Sequence, residues 1–491
     1  MKKLLLATTL LFLSVTGFTQ KDSTQLVTTW RTFNATPFIT NPSGDSSVHL
    51  GIDTTRTYNY DVDWDNDGVF DILGVTTAIT HRYPDTGTYT IRIRGQFPRV
   101  VFGDLIYYYN GSGLHVKNDC AKLVSLDQWG TTVWEDLFAA FYGCQNLQYN
   151  AVDIPNLSLV TRLDQMFSSC SKFNGAIGNW DVSRVKNMKW MFYQAREFNQ
   201  DLSNWRIDSV TDMEGIFAAA TNFNQSLSSW NVSNVTTMKS MFRGAYDFNQ
   251  DISSWDVSSV KDMSSMFEYD SSFNQDISTW QVDSVVRFEY MFRWAGDFNQ
   301  DISTWNVDSA VFMRSMFEGA SSFDQDLSNW DILNRIKNLY GFFDNSGISI
   351  HNYDAMLASW ESRIPATFIF ARLGAAGLTY CLSDSIRNEL RLNNFITIGD
   401  SLNCIGVGVA EDIASESEEG FIIYPNPTKG VFTLDQHSPA KTQEVFIYNM
   451  QGQLVYSVVL KSQKQQINLT GFGPGIYLLR VGEESKRLVV Y

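Results

Sequence analysis

A 25-residue repeat constrains this 491-residue chain more than any other feature. Tryptophan returns at this interval through the middle of the sequence, at Trp180, Trp205, Trp230, Trp255, Trp280, Trp305 and Trp330. Two phenylalanine series keep the same step, and one unit, residues 248–272, reads FNQDISSWDVSSVKDMSSMFEYDSS. A unit this small cannot bury its own apolar side chains, but stacked units can, because equivalent residues then form columns. The sequence therefore predicts a stacked repeat with an aromatic core.

Each repeat unit combines two local patterns. Residues 250–255 alternate, which favours a short strand, whereas Val260, Met263, Met266 and Phe267 follow helical spacing. A column of residues that can cap a helix N-terminus precedes the second pattern. Its members are Ser183, Asp208, Ser233, Ser258, Asp283 and Asp308. We therefore expect a repeat solenoid with one short strand and one short helical segment per coil.

The repeat units also carry a family resemblance. The stretches FNQDISSWDVSSVKDMSSMF and YGCQNL resemble BspA-type leucine-rich-repeat surface proteins over residues 113–343. The following segment, 344–406, contains HNYDAMLASW, GLTYCLSDSIRNEL and GDSLNC and resembles the C-terminal cap of such arrays. The resemblance implies a non-catalytic cell-surface or secreted interaction protein, often an adhesin, and it implies no particular ligand.

Residues 1–20 have the layout of a secretory signal peptide. Lys2 and Lys3 precede an apolar core, Leu4 to Val15, that is too short to span a bilayer stably. An N-terminal anchor helix is the alternative. With cleavage, we expect an exported mature chain with no transmembrane segment, because no other apolar run approaches the roughly 20 residues that a spanning helix needs.

The next stretch, residues 21–112, alternates between strand-like runs and Asp/Gly turns. Through THRYPDTGTYTI it resembles a PKD-like module, which implies an N-terminal β-sandwich.

An acidic loop in this module, DWDNDG, suggests a calcium site, because calcium prefers oxygen ligands and such loops place them at alternate positions. The candidate ligands are Asp61, Asp63, Asp65, Asp67 and Asp71. The twelfth position of an EF-hand loop would be Gly74 rather than Glu, so a polar turn without an ion is the alternative. Apart from calcium, we expect no cofactor.

The C-terminal end resembles a targeting domain. Residues 407–420 are acidic and small, as expected of a solvated linker, and residues 421–491 read as short strands of a second β-sandwich. Pro425-Asn426-Pro427, Gly475-Ile476-Tyr477 and Lys486-Arg487 resemble the type IX secretion sorting domain. The resemblance implies a Bacteroidota-type route across the outer membrane, with the type IX machinery as a partner and a cell-surface or extracellular location.

Five cysteines are too few for a disulfide-dense scaffold. Cys381 and Cys404 lie in the predicted cap, and we expect them to form a disulfide in an oxidising exterior. Cys144 and Cys170 fall one coil apart, so both a bridge and two buried thiols remain open, and Cys120 is left over.

Charge and motifs argue against nucleic acid as a partner and against an enzyme. The net charge of −16 offers no cationic footprint for phosphates. The sequence contains no G-x-S-x-G, H-E-x-x-H or P-loop motif. One carboxylate column recurs along the repeats, but equivalent environments do not make a catalytic acid and base. Its members are Asp201, Asp251, Asp276, Asp301 and Asp326.

Positions whose residue type varies from unit to unit are not constrained by the packing of the core, so we expect their side chains to face outward. They supply the candidate ligand-binding residues Trp190, Tyr193, Arg243, Tyr269, Tyr290, Arg293 and Trp294. Outward aromatic residues are enriched at binding surfaces. The alternative is that the aromatic residues cover the array and the charges pair between coils.

Three functions follow from these observations. The first is an adhesin-like surface protein that binds a protein or glycan on another cell or matrix. The second is a structural surface-layer or spacer protein without a specific ligand. The third is an accessory to a secreted carbohydrate-active or proteolytic enzyme, which the absence of a catalytic constellation disfavours.

Overall fold

The structure, a computed structural model, describes residues 23–33, 46–100, 102–104, 117–331, 338–363, 371–381 and 395–402, and most of 421–490. The predicted signal peptide (1–20) and linker (407–420) lie outside the described residues. Two bodies are distinguished. The first comprises Met1–Leu378 with Leu382–Asp400, and the second comprises Thr379–Cys381 with Ser401–Tyr491.

The first body begins with short strands. They are β1 (Leu26–Arg31), β2 (Ser47–Leu50), β3 (Asn59–Asp63), β4 (Ile72–Val75), β5 (Ile79–Arg82), β6 (Thr88–Gln96), β7 (Gly103–Asp104), β8 (Lys117–Asn118), β9 (Leu123–Gln128) and β10 (Gln148–Tyr149). Six of them form one sheet in the order β10-β9-β1-β6-β3-β4, antiparallel except for the β10–β9 pair. The sheet thus takes in strands that lie beyond residue 112. The pairs β2–β5 and β7–β8 are separate, and a 3-10 turn, Cys120–Lys122, precedes β9.

Large apolar side chains on β1, β3 and β6 hold this sheet together. Trp30, Tyr60, Val62, Ile91 and Ile93 are at most 1% exposed. The register aligns Val62 with Ile93, so branched side chains meet across the strands.

The described residues from 133 to 349, which include the short strand β10, form what we call the turn stack. Isolated parallel bridges join residues 25 positions apart: Arg162 to Asn187, Asn187 to Asp212, Asp212 to Thr237, Thr237 to Asp262, Asp262 to Arg287 and Arg287 to Phe312. Near each bridge, backbone N–H groups alternate between two kinds of acceptor. Met266 donates to the carbonyl of Met263 in its own turn (3.2 Å), and Phe267 donates to that of Met291 in the next unit (2.9 Å).

This arrangement shows that the predicted fold class, a repeat solenoid of strand and helical segments flanked by two β-sandwiches, is wrong. From residue 150 to 349 the described chain has turns, bends and isolated bridges, with neither helix nor strand. Strands make up 25% of the structure and lie in separate small sheets, while helix makes up only 4%, far less than one segment per repeat requires.

The reason lies in the backbone. A helix needs every N–H to reach the carbonyl four residues back. Here alternate N–H groups bond to the next unit, and left-handed residues such as Ser265 (φ 57°) and Tyr269 (φ 61°) interrupt each segment. The predicted capping column instead closes turns: Ser258 donates its N–H to Asp256 Oδ1 (3.1 Å).

Aromatic columns fill the core of the turn stack. Phe267 stacks on its counterpart Phe292 with ring centroids 5.7 Å apart and planes 6° apart, and its ring centroid lies 3.8 Å from that of Phe273, the first residue of the following unit. Trp255 stacks on Trp280 at 6.4 Å and donates its Nε1–H to the Leu227 carbonyl (3.0 Å). This hydrogen bond satisfies the indole polar group inside an apolar core.

A ladder of asparagines runs beside these columns. Asn249 Oδ1 accepts the N–H of Asn274 (3.0 Å) and the Nε2–H of Gln275 (2.8 Å), and equivalent bonds recur in neighbouring units. At Asp324 the ladder reaches a helix, where the carboxylate accepts from Ser349 N and Asn352 Nδ2 (both 2.8 Å).

The chain after the turn stack is helix α1 (Ile350–Glu361), with Ser349 as its N-cap. Four short strands follow: β11 (Ala371–Gly374), β12 (Thr379–Tyr380), β13 (Phe395–Ile398) and β14 (Ser401–Leu402). The parallel pair β11–β13 continues the bridges, because Leu373 pairs with Leu339.

The second body contains the parallel pair β12–β14 and two further sheets. Their strands are β15 (Phe421–Tyr424), β16 (Val431–Gln436), β17 (Glu444–Tyr448), β18 (Leu454–Val459), β19 (Lys464–Asn468), β20 (Gly475–Val481) and β21 (Glu484–Val490). The sheet orders are β15-β16-β19 and β18-β17-β20-β21. Side chains of both, including Phe432, Leu434, Ile447 and Leu479, meet in one hydrophobic cluster.

Candidate interaction surface

Two positions in each repeat unit, four residues apart, adopt a left-handed backbone with φ between 51° and 70°. The first column holds Gln165, Trp190, Gly215, Ser240, Ser265, Tyr290 and Ser315, and the second holds Ser169, Gln194, Ala219, Gly244, Tyr269, Trp294 and Gly319. Four of the seven predicted ligand-binding residues stand in these columns. A left-handed conformation costs a residue with a side chain roughly 1–2 kcal/mol, and glycine escapes most of this cost.

The two tryptophans lie flat along the stack. A Cβ on Gly215 would overlap the Trp190 ring, and one on Gly319 would overlap the Trp294 ring, so each indole covers a glycine of the next unit. Trp190 is half-buried and packs edge-on against Tyr193 (5.2 Å), whereas Trp294 remains 45% exposed. Trp190 and Tyr193 therefore fit a covering role, and Trp294 presents a free ring face.

The other predicted residues form a network of charge and aromatic contacts. Glu268, which is buried, accepts from Arg243 Nε (2.7 Å) and Arg293 Nη2 (2.8 Å). The Arg293 guanidinium also donates to the Tyr269 hydroxyl (2.8 Å) and lies 4.8 Å from the Tyr290 ring. Burial opposes the charge of Arg293, but Glu268 and Tyr269 outweigh it and raise its pKa.

Sequence reasoning missed two residues of this surface, Arg314 and Tyr340. The Arg314 guanidinium lies 5.8 Å from the ring centre of Tyr290 and 5.3 Å from that of Tyr340. One residue is inserted before Tyr340, so Tyr340 takes the position equivalent to Arg314 rather than the one equivalent to Ser315. The available signal was the basic residues Lys189 and Lys239, which stand at the positions equivalent to Arg314 in other units. We call Arg243, Tyr269, Tyr290, Arg293, Trp294, Arg314 and Tyr340 together the aromatic face.

The acidic loop between β3 and β4 brings only part of the predicted calcium set together. Carboxylate oxygens of Asp63, Asp65 and Asp71 lie within 4.8 Å of one another. Asp61 instead pairs with Arg94 (2.9 Å). Asp67 accepts the N–H of Val69 (2.7 Å).

Hydrogen bonds inside the loop explain its shape without an ion. The buried Asp63 accepts the N–H groups of Asn66 (2.6 Å) and Gly68 (3.1 Å). Both donors have positive φ, 65° and 92°. These hydrogen bonds form the polar turn that the sequence analysis gave as the alternative to a calcium site. The turn is compatible with the cluster of Asp63, Asp65 and Asp71.

The cysteines fall into two groups. Cys381 is disulfide-bonded, and its predicted partner, Cys404, lies outside the described residues. Cys120, Cys144 and Cys170 are buried and form no disulfide, so the alternative of two buried thiols holds for the last two. Burial raises the pKa of the Cys144 and Cys170 thiols, and Cys170 Sγ donates to the Phe141 carbonyl (2.9 Å).

The repeated carboxylate column closes turns. Each of its five members accepts the backbone N–H of a serine two residues on, at 2.8–2.9 Å. These hydrogen bonds lower the pKa of Asp201, Asp251 and Asp276. The column therefore supplies carboxylates with the same hydrogen-bond partner in each unit rather than an acid and a base.

Comparisons with known proteins agree with part of this picture. Residues 135–255 and 241–356 match the model of a family described as "Mycoplasma protein of unknown function, DUF285". Residues 422–490 match a model described as "Secretion system C-terminal sorting domain". The beta-agarase A of Zobellia galactanivorans is 34% identical over 68 residues, 14% of this chain and 13% of that protein. No solved structure gives a significant match.

The sorting domain determines where the chain goes. The chain is exported across the outer membrane to the cell surface or the extracellular space, as predicted. In the part of the chain that the structure describes, no helix has the length and apolarity to cross a membrane. Neither family description names a catalytic activity. The PKD-like module and the BspA-type assignment stay predictions.

Proposed function

We propose that this exported chain is a non-catalytic interaction protein whose aromatic face binds a protein or glycan on another cell or matrix. The observation that carries the proposal is the left-handed backbone of Tyr269, Tyr290 and Trp294. Glycine or serine stands at equivalent positions of other units, so the fold itself does not require aromatic side chains there. Strained residues of this kind cluster at functional sites.

Exposure and composition of the face support the same function. Trp294 and Tyr340 are 45% and 51% exposed, whereas the aromatic residues of the core columns are almost fully buried. Trp, Tyr and Arg are the residues enriched at binding surfaces and at their energetic centres.

The test is a double variant, Tyr269→Gly with Trp294→Gly, in the full chain. We expect binding to matrix-protein and glycan arrays to fall at least tenfold while the melting temperature stays within a few degrees, because relief of backbone strain offsets the lost packing. The matched control is Ala219→Gly with Ser240→Gly, which changes the same columns outside the face. It should keep full binding and gain about 1 kcal/mol of stability.

If the double variant is less stable but binds with unchanged affinity, these aromatic residues stabilise the fold and do not contact the ligand. Absence of any saturable hit from the folded wild-type chain, together with self-association, would favour the spacer function instead. Charge ladders give that alternative its support: Glu214 bridges Lys189 and Lys239 as Glu268 bridges Arg243 and Arg293. The enzyme-accessory function has little support, because the match to beta-agarase A covers only 14% of the chain.

A calcium ion at Asp63, Asp65 and Asp71 remains part of the proposal. We expect calorimetric titration of the full chain to detect one calcium site, which Asp71→Asn abolishes because the cluster loses a charged ligand. Asp67→Asn is the control and should retain binding, since Asp67 stands outside the cluster. If calcium-free and calcium-containing injections into the wild type give equal heats, the loop binds no calcium and is a polar turn only.

A further inference from the structure

The aromatic face contains one cation that its surroundings do not neutralise. Arg314 is exposed and lies against the rings of Tyr290 and Tyr340. Among the described residues, no carboxylate forms an ion pair with it. Arg243 and Arg293 share Glu268, so Arg314 differs from the arginines around it.

The acidic residues near Arg314 interact with other arginines. Glu289, in the unit before Arg314, binds Arg287 Nη1 at 2.8 Å. Glu318 acts on the charge of Arg293. In a chain of net charge −16, Arg314 is thus a cation that is flanked by aromatic rings and has no carboxylate paired with it among the described residues.

From this arrangement, and resting on the proposed function, we propose that Arg314, Tyr290 and Tyr340 form a subsite for an acidic sugar residue of a polysaccharide. The planar guanidinium offers paired donors that match a carboxylate or sulfate. The half-exposed Tyr340 ring offers an apolar surface on which the sugar can stack. Trp294 offers a second exposed ring on the same face.

The chemistry favours an acidic polysaccharide over nucleic acid. Nucleic acid binding requires several cations along the phosphate backbone, and here the neighbouring arginines are already paired. One unpaired cation between two rings is enough for a single acidic sugar. Carboxylated and sulfated sugars present the same recognition chemistry, and the probes below distinguish them.

The test uses the full chain in native gels that contain neutral dextran, polygalacturonate or dextran sulfate. We expect retardation by at least one acidic polymer and none by dextran. Arg314→Gln should weaken it at least tenfold, Tyr340→Leu should weaken it less, and Arg314→Lys should restore part of it. The matched control is Arg206→Gln, which removes the same charge from a side chain that is 80% exposed and should change nothing. The acidic polymer that retards the chain identifies the acid group.

Two outcomes would overturn the inference: no retardation by either acidic polymer, or equal losses in Arg314→Gln and Arg206→Gln. If array binding still depends on Tyr269 and Trp294 in that case, the proposed function stands and only the acidic subsite fails. If the arrays are also silent, both fail. Arg206, Arg314 and Tyr340 are exposed, so we expect each variant to keep the melting temperature of the wild type. This measurement verifies that each variant is folded.

Discussion

Replacing Asp270 by alanine is expected to stabilise the chain at pH 7 by about 2 kcal/mol, because a buried polar group without partners costs that order of free energy. Asp270 is completely buried, and no hydrogen bond of normal geometry reaches either carboxylate oxygen. Equivalent positions in other units hold alanine: Ala195, Ala220, Ala245, Ala295 and Ala320. The stack therefore accommodates alanine at this site without a new cavity.

The effect of Asp270 depends on pH. Burial raises its pKa well above the usual value, the nearby backbone of Ser272 and Phe273 lowers it in part, and Asp247 raises it further. Because the folded pKa exceeds the unfolded one, the folded state loses stability relative to the variant as pH rises from about 4, at up to about 1.4 kcal/mol per pH unit. The gain from Asp270→Ala should be smallest below pH 4.

Thermal unfolding of both proteins between pH 3.5 and 8 checks this result. The stability of Asp270→Asn should not show this pH dependence, because the amide does not titrate. The buried amide should still cost part of the free energy that the buried carboxylate costs. Asp276→Ala is the control, because this exposed carboxylate has a lowered pKa and should show a small loss instead of a gain. A variant Asp270→Ala that is less stable than the wild type at pH 7 would contradict the prediction.

Replacing Arg99 by methionine should destabilise the first body by about 3 kcal/mol, because it leaves buried charges uncompensated. Arg99 is 6% exposed, and its Nη1 lies 2.7 Å from Asp53 Oδ2 and 3.6 Å from Asp136 Oδ2. Its Nη2 donates to the Phe138 carbonyl (3.1 Å). The side chain thus connects the loop before β3 with the first turns of the stack.

Acid unfolding gives this prediction a second readout. Burial would raise the pKa of Asp53, but hydrogen bonds from Thr55 and the charge of Arg99 lower it to about 2. A lowered folded pKa adds stability above the unfolded value, and that stability is lost as pH falls from about 4 to 2. Arg99→Met should therefore unfold at a higher pH than the wild type.

Arg56→Met provides the comparison for Arg99. Arg56 contacts Glu135 and Asp136, but it is more exposed, so we expect a loss of about 1 kcal/mol or less. Equal losses from the two variants, or no shift of acid unfolding for Arg99→Met, would show that burial of the Arg99 pair is not what stabilises this junction.

Repetition in the sequence was enough to identify the core of the turn stack. A residue type that returns every 25 positions meets the same surroundings each time, so the Phe, Met and Trp columns had to be buried, and Trp255 and Phe267 are. The same logic placed the variable positions, Trp294 among them, on the outside. The export signal was also readable, because the motif residues 475–477 and 486–487 belong to a sorting domain that the family comparison matches.

Only the tertiary structure decided how the backbone satisfies its hydrogen bonds. Apolar spacing in residues 260–267 is the same for a helix and for successive turns, and the choice depends on carbonyls such as that of Met291, 24 residues ahead of its donor Phe267. The left-handed columns, the isolation of Arg314 and the buried carboxylate of Asp270 are likewise contacts between units. A sequence states which residues are equivalent, whereas their partners depend on how closely one unit stacks on the next.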